Sequence, residues 1–145
     1  MKVFKFKSRC LFLSSFIGMA LAANCAFADV VVIVSANSGV GSLSQDQVGQ
    51  IFLGKRNAFP NGETAVPVDQ GDDTVKGEFY DKVTGKGSAQ LKSYWSQMVF
   101  TGKAKPPKVL SDNSEVKKLV ANNPNIIGYI AADAVDDTVK VVLTP

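Results

Sequence analysis

Val30-Val31-Val32-Ile33-Val34, closed by Ser35-Ala36-Asn37-Ser38-Gly39, is the stretch from which the fold is read. Five consecutive β-branched residues lack the alternation of a strand with one wet face, so the run reads as a strand buried on both sides. A strand of that kind needs helices above and below its sheet. The expectation is therefore one α/β domain with a parallel or mixed sheet.

The segments downstream provide those helices. Ser44 and Gln47 form a capping box, Leu43 sits at the staple position opposite Val48, and Gly54 ends a helix that buries Val48, Ile51 and Phe52. Ala65-Val66-Pro67-Val68 is a short extended segment whose proline keeps it off the centre of a regular ladder unless a bulge intervenes. After the acidic turn Asp69-Gln70-Gly71-Asp72-Asp73-Thr74, a second helix places Val75, Phe79 and Val83 at intervals of four, pairs Glu78 with Lys82, and stops at Gly85. Ser88 is expected to cap a third helix with the stripe Leu91, Tyr94, Trp95, Met98 and Val99, ended by Gly102. Lys103 to Lys108 reads as an extended basic connector. A fourth helix, capped between Asp112 and Ser114, carries Val116, Leu119 and Val120 as far as Pro124, and Ile126 to Ile130 and Thr138 to Leu143 close the chain as strands. The expected core includes Ile51, Phe52, Phe79, Trp95, Val99, Leu119 and Ile127.

Upstream of the first strand, residues 1–28 hold four cations (Lys2, Lys5, Lys7, Arg9) and no acid, then an apolar run from Cys10 to Ala23, then Ala26-Phe27-Ala28. A basic start, a short apolar run and a small-x-small site make a cleavable export signal, and the run is shorter than the roughly 20 residues of a membrane span. The expected division is a signal at 1–28 and one domain at 29–145, working in the periplasm with no membrane span after cleavage. Of the chain's 16 Lys+Arg and 13 Asp+Glu, twelve cations and all thirteen anions fall in the second segment, whose net charge is −1. Nucleic acid is thereby an unlikely partner. Both cysteines, Cys10 and Cys25, lie in the first segment, and the chain has no histidine. The second segment therefore has no Cys/His nucleophile pair, no zinc site of the usual ligands and no internal disulfide, and neither cofactor nor enzymatic activity is expected of it.

Two segments bear on ligand chemistry. Asp69 to Lys76 runs from a strand through Gly71 into a helix, which points backbone N–H groups at a prospective anion, with the Thr74 hydroxyl and the Lys76 ammonium at hand. The opposing reading is that Asp72 and Asp73 are capping carboxylates that take those donors themselves. Asp69, Asp72 and Asp73 do not match the calcium-loop spacing, and no metal is expected there. The second segment, Ser35, Asn37 and Ser38, follows the buried strand and offers hydroxyls and amides at its carboxyl end, or is an ordinary loop.

Taken in order, Leu43-Ser44, Ile51-Phe52-Leu53-Gly54-Lys55, Val66-Pro67-Val68 with its acidic glycine turn, Phe79-Tyr80, Tyr94-Trp95, Val99-Phe100-Thr101-Gly102 and Ile127-Gly128-Tyr129 resemble the phosphate-binding protein family of phosphate ABC transporters, in its short PstS-like form. The resemblance implies a mixed sheet with helices on both faces, like one lobe of a type 2 periplasmic binding protein. It implies a phosphate or oxyanion site made by Ser35, Asn37, Ser38, Asp69, Gly71, Asp72, Asp73, Thr74 and Lys76, and a transporter membrane subunit or other envelope protein as partner. The family's phosphate loop is of the Arg-x-Asp-Gly-Ser-Gly-Thr type. Here Gly71 and Thr74 keep their places, the serine position is acidic, and the one arginine of the second segment, Arg56, lies elsewhere. Weak anion binding, or an interaction module that keeps the fold without tight phosphate binding, are the two functions this leaves.

Overall fold

The structure, a computed structural model, describes residues 29–145. The expected export signal, with both cysteines, lies outside the described residues. In chain order the elements are β1 (Val30–Ser35), α1 (Gln45–Phe52), β2 (Val66–Gln70), α2 (Asp73–Thr84), α3 (Ser88–Phe100), β3 (Lys108–Leu110), α4 (Asn113–Asn122), β4 (Ile126–Ala131), a turn of 3-10 helix at Ala132–Ala134, and β5 (Val139–Leu143).

The five strands form one mixed sheet in the order β3-β2-β4-β1-β5. β1 runs antiparallel to both its neighbours, pairing Val32 with Tyr129 on β4 and Ser35 with Val139 on β5. β2 runs parallel to β3 and β4. Every residue of β1 is buried, as its β-branched run requires. Val30, Val32 and Val34 point into the cluster beneath α1, α2 and α3, and Val31 and Ile33 into the cluster beneath α4. Gly128 makes the second contact close: a Cβ there would fall 2.7 Å from Val116 Cγ1 and 3.2 Å from Val120 Cγ2.

The helix ends follow their capping chemistry. Gln47 N donates to Ser44 Oγ at 3.2 Å while Ser44 N donates to Gln47 Oε1 at 2.9 Å, which is the reciprocal box. Gly85 ends α2 at φ +69°, and Glu78 and Lys82 pair at 2.8 Å.

Four expectations need correction. β2 is an interior strand despite Pro67, because β3 begins only opposite Val68, so the proline has no ladder partner to miss on that side. The basic connector ends in a strand, β3, which its two prolines concealed. α3 begins after Gly87 with no side-chain cap, and Ser88 is its first residue. α3 also buries only Leu91 and Trp95; Val99 is 53% exposed and Leu119 of α4 is half-buried, so neither is a full core residue.

Candidate functional site

The carboxyl end of β2 carries the densest polar chemistry. Strand alternation sends Val68 and Gln70 toward α4 and Asp69 toward α2. Asp69 is only 2% exposed, so its place is inside the sheet layer and not in the acidic turn to which its sequence neighbours assign it. Tyr80 Oη and Tyr129 Oη donate to Asp69 Oδ1 at 2.8 Å and 3.0 Å, and Lys76 Nζ lies 3.4 Å from Oδ2. Burial pushes the Asp69 carboxyl above its usual range, against the Lys76 charge and the two hydroxyls, which pull it down. Burial, and then the Asp69 charge, drive both tyrosines upward, so they stay protonated donors. The network ties β2, α2 and β4 together and leaves Lys76 committed to an internal partner. On the other side of the strand, Gln70 Nε2 donates to the Tyr129 carbonyl at 2.8 Å and to Asn113 Oδ1 at 3.1 Å, fixing the start of α4.

Beyond Gln70 the chain turns into α2. Gly71 donates its N–H to the Leu110 carbonyl at 2.7 Å, and a Cβ there would stand 3.4 Å from the Ser111 carbonyl oxygen. A Cβ there would make ordinary contact with β3, and a left-handed turn plays no part, since the Gly71 φ is not positive. Asp72 is the N-cap, and Oδ1 accepts from Thr74 N at 3.0 Å and from Val75 N at 3.2 Å. Those amides are the donors that an anion at this helix end would use, and the chain's own carboxylate holds them. Asp73 and Thr74 are exposed beside it.

Ser35, Asn37 and Ser38 do not join this group. β1 is antiparallel to β4 and β4 parallel to β2, so Ser35 lies level with the start of β2 while Asp72 follows its end. The four steps from Val66 to Gln70 alone separate them by about 13 Å at the usual strand rise. Ser35 Oγ donates to the Ala121 carbonyl at 3.1 Å and accepts from Asn37 N at 3.2 Å, Ser38 Oγ accepts from Val40 N at 3.2 Å, and Lys140 Nζ donates to the Ser38 carbonyl at 2.6 Å. These groups build a turn. The anion site implied by the resemblance is thus divided between the two ends of the sheet. Tyr80, Tyr129, Gln70 and Asn113 are the members of the polar cluster that sequence reasoning did not assign to the site. An aspartate directly following Val68 in a strand is the signal that would have called for hydroxyl partners.

Among the described residues no group of three or more His, Cys, Asp or Glu is arranged to hold a metal, and no helix is long and apolar enough to cross a membrane.

With this geometry in view, the sheet, its two helical layers and the β2–α2 turn define one lobe of a substrate-binding protein fold. No family model and no curated protein sequence matches the chain. Solved structures to which it is similar include two substrate-binding proteins of phosphate transport and a protein assigned as phosphate-binding. A Clostridium perfringens protein assigned as a phosphate ABC transporter substrate-binding protein, solved with bound phosphate, aligns with a TM-score of 0.63 and 25% identity over 79% of this chain and 44% of its own. An ABC-type phosphate transport receptor from Vibrio cholerae aligns at 0.52 with 19% identity, over 79% and 45% of the two chains. A Planctomyces limnophilus protein assigned as phosphate-binding aligns at 0.56 with 12% identity, over 79% and 40%. The last two carry the fold alone. The chain spans less than half the length of each.

Proposed function

We propose that this domain, residues 29–145, is an interaction module of the cell envelope that keeps the substrate-binding fold but not tight phosphate capture. The observation that carries the proposal is Asp72 Oδ1 on Thr74 N and Val75 N, with Lys76 drawn to Asp69. An incoming phosphate would meet two carboxylates at the helix end and no free cation from this segment. The envelope location rests on the basic start, the apolar run and Ala26-Phe27-Ala28. For a protein partner, a transporter membrane subunit or another envelope protein, the surface offers Val99 at 53% and Phe100 at 92% exposure beside Pro106.

Calorimetric titration with inorganic phosphate tests the first half. The wild type gives no saturable heat up to roughly millimolar phosphate; the double variant Asp72→Ser with Asp73→Gly is the positive comparison, since it removes both carboxylates from the helix end. Saturable wild-type heat at micromolar phosphate overturns the reading. A photo-reactive residue at position 100 tests the second half: it forms adducts with an envelope protein that the same residue at exposed position 81 does not. Intact mass of the exported protein checks the location, with Asp29 as the expected first residue.

A second reading, weak oxyanion binding at the start of α2, has one specific support, the phosphate bound in the 25% identical Clostridium neighbour. Under it the wild type already gives phosphate heat, Lys76→Ala weakens it, and both effects shrink in high salt.

A further inference from the structure

We propose that the cleft between α2 and α3 is a binding site for a small organic anion with an apolar body, separate from the α2 helix end. Residues of α2, of α3 and of the connection between them line a cleft of about 660 Å³, within the range of small-molecule sites. Lys76, Lys86 and Lys92 line it together with Tyr80, Leu91 and Trp95. The last three, the floor, are each no more than 9% exposed, so the base is apolar and rigid while the rim is cationic. Asp73 is the one carboxylate among the lining residues, and the Ser88 hydroxyl adds a donor.

The charges are not all equivalent. Lys76 is drawn to Asp69, whereas Lys86 and Lys92 have no carboxylate partner among the described residues, and Lys86 Nζ stands 5.5 Å from the centre of the Tyr94 ring. With no carboxylate to neutralise either lysine, an anion that reaches both is attracted by both. Inorganic phosphate alone would leave the Trp95 and Leu91 surface uncovered, and a neutral ring would leave the lysines unmatched. A phosphate monoester or sulfonate on an aromatic or aliphatic body satisfies both. The floor also extends past Trp95 and Lys92 into the shallow groove of Val99, Phe100 and Pro106, which gives such a body room along α3.

Trp95 is the chain's single tryptophan, and it lines this cleft and the adjoining groove, so its emission responds to occupancy there. The test titrates the full exported chain with phenyl phosphate, with phenol and inorganic phosphate as the two halves of the probe. The expected result is a saturable change in Trp95 emission with phenyl phosphate below about 1 mM, and roughly tenfold weaker responses to either half alone. Lys86→Gln with Lys92→Gln, the first half-buried and the second exposed, should keep the protein folded, as melting checks, and weaken phenyl phosphate about tenfold or more. Asp72→Ser, which leaves every lining side chain in place, should not change phenyl phosphate affinity even where it creates phosphate heat. The proposal is overturned by no saturable response, by equal affinity in the lysine double variant, by phenol matching phenyl phosphate, or by Asp72→Ser tightening phenyl phosphate as it tightens phosphate. The last outcome would place the anion at the α2 helix end.

Discussion

On the face that carries α1, α2 and α3, the sheet meets aromatic rings: Phe79 stacks on Tyr129 with centroids 4.0 Å apart and planes 6° from parallel, and Phe52 meets Phe79 edge-on at 4.7 Å. On the face that carries α4, the contacts are Val31, Ile33, Val68, Val116, Val120 and Ile130, all aliphatic, drawn close by Gly128. Rings span a wider gap and bring hydroxyls, so the first face also holds a buried carboxylate. Aliphatic chains at close range leave no room for one. The difference explains why the cleft and the buried carboxylate both belong to the α2 side.

The comparison is broken most severely by Phe79→Ala. It removes the stack and the edge contact together and is expected to cost about 3–5 kcal/mol in urea unfolding, enough to unfold a marginal domain. Val116→Ala on the opposite face should cost less, about 1.5–2 kcal/mol, as two methyl groups are lost. Gly128→Ala tests close approach directly. Overpacking against Val116 is expected to cost about 1–3 kcal/mol, and combining it with Val116→Ala should recover part of that loss, a coupling that a double-mutant cycle measures. If the two changes simply add, α4 is not held by contact at Gly128.

Asp72→Ala should cost about 0.5–2 kcal/mol through the lost α2 cap. The smallest and most discriminating effect is the pH dependence. Because burial raises the folded Asp69 pKa above its unfolded value, its contribution is fully present below the unfolded pKa and is lost as pH rises through the folded pKa. Lowering the pH from neutrality should therefore stabilise the wild type relative to Asp69→Asn. Asp136 on the α4 side behaves oppositely. Its hydrogen bonds from Lys117 and Thr138 pull its pKa down to about 2, so its contribution is present above the unfolded pKa and lost as pH falls toward 2. Denaturation midpoints against pH for Asp69→Asn and Asp136→Asn should diverge from the wild type in opposite directions on the acid limb. Parallel curves would mean that Asp69 is not held in a low-dielectric site.

Much of the fold was legible because local chemistry determines it. The β-branched run at Val30 to Val34 announced a doubly buried strand, Ser44 with Gln47 announced a helix start, and Gly85 a helix stop. β3 was not legible: three residues behind Pro106 and Pro107 carry too little pattern to separate a strand from a connector. The α3 stripe was read as core because its spacing is helical, yet periodicity says nothing about how far a helix tilts from its neighbour, and Val99 and Phe100 point into solvent. The site suffered most. Ser35 ends one strand and Asp72 follows another, but which end of a sheet each reaches depends on strand direction, a property of pairing and not of either segment. Asp72 was legible as both cap and site residue, and only its bonds to Thr74 N and Val75 N distinguish the two roles.

Under the proposed function, Asp72 is a tethered competitor for any anion that approaches the start of α2. A tethered carboxylate is present at a fixed stoichiometry that dilution cannot lower, so the amides at Thr74 and Val75 are vacant only in the fraction of molecules whose cap has swung away. A cap worth about 0.5–2 kcal/mol leaves roughly a third to a thirtieth of the population open, and an outside anion's apparent affinity falls by the same factor. That factor is modest. A further share of the proposed exclusion would come from the negative charge that Asp72 and Asp73 place beside those amides. Salt would screen that share and leave the tether's share untouched.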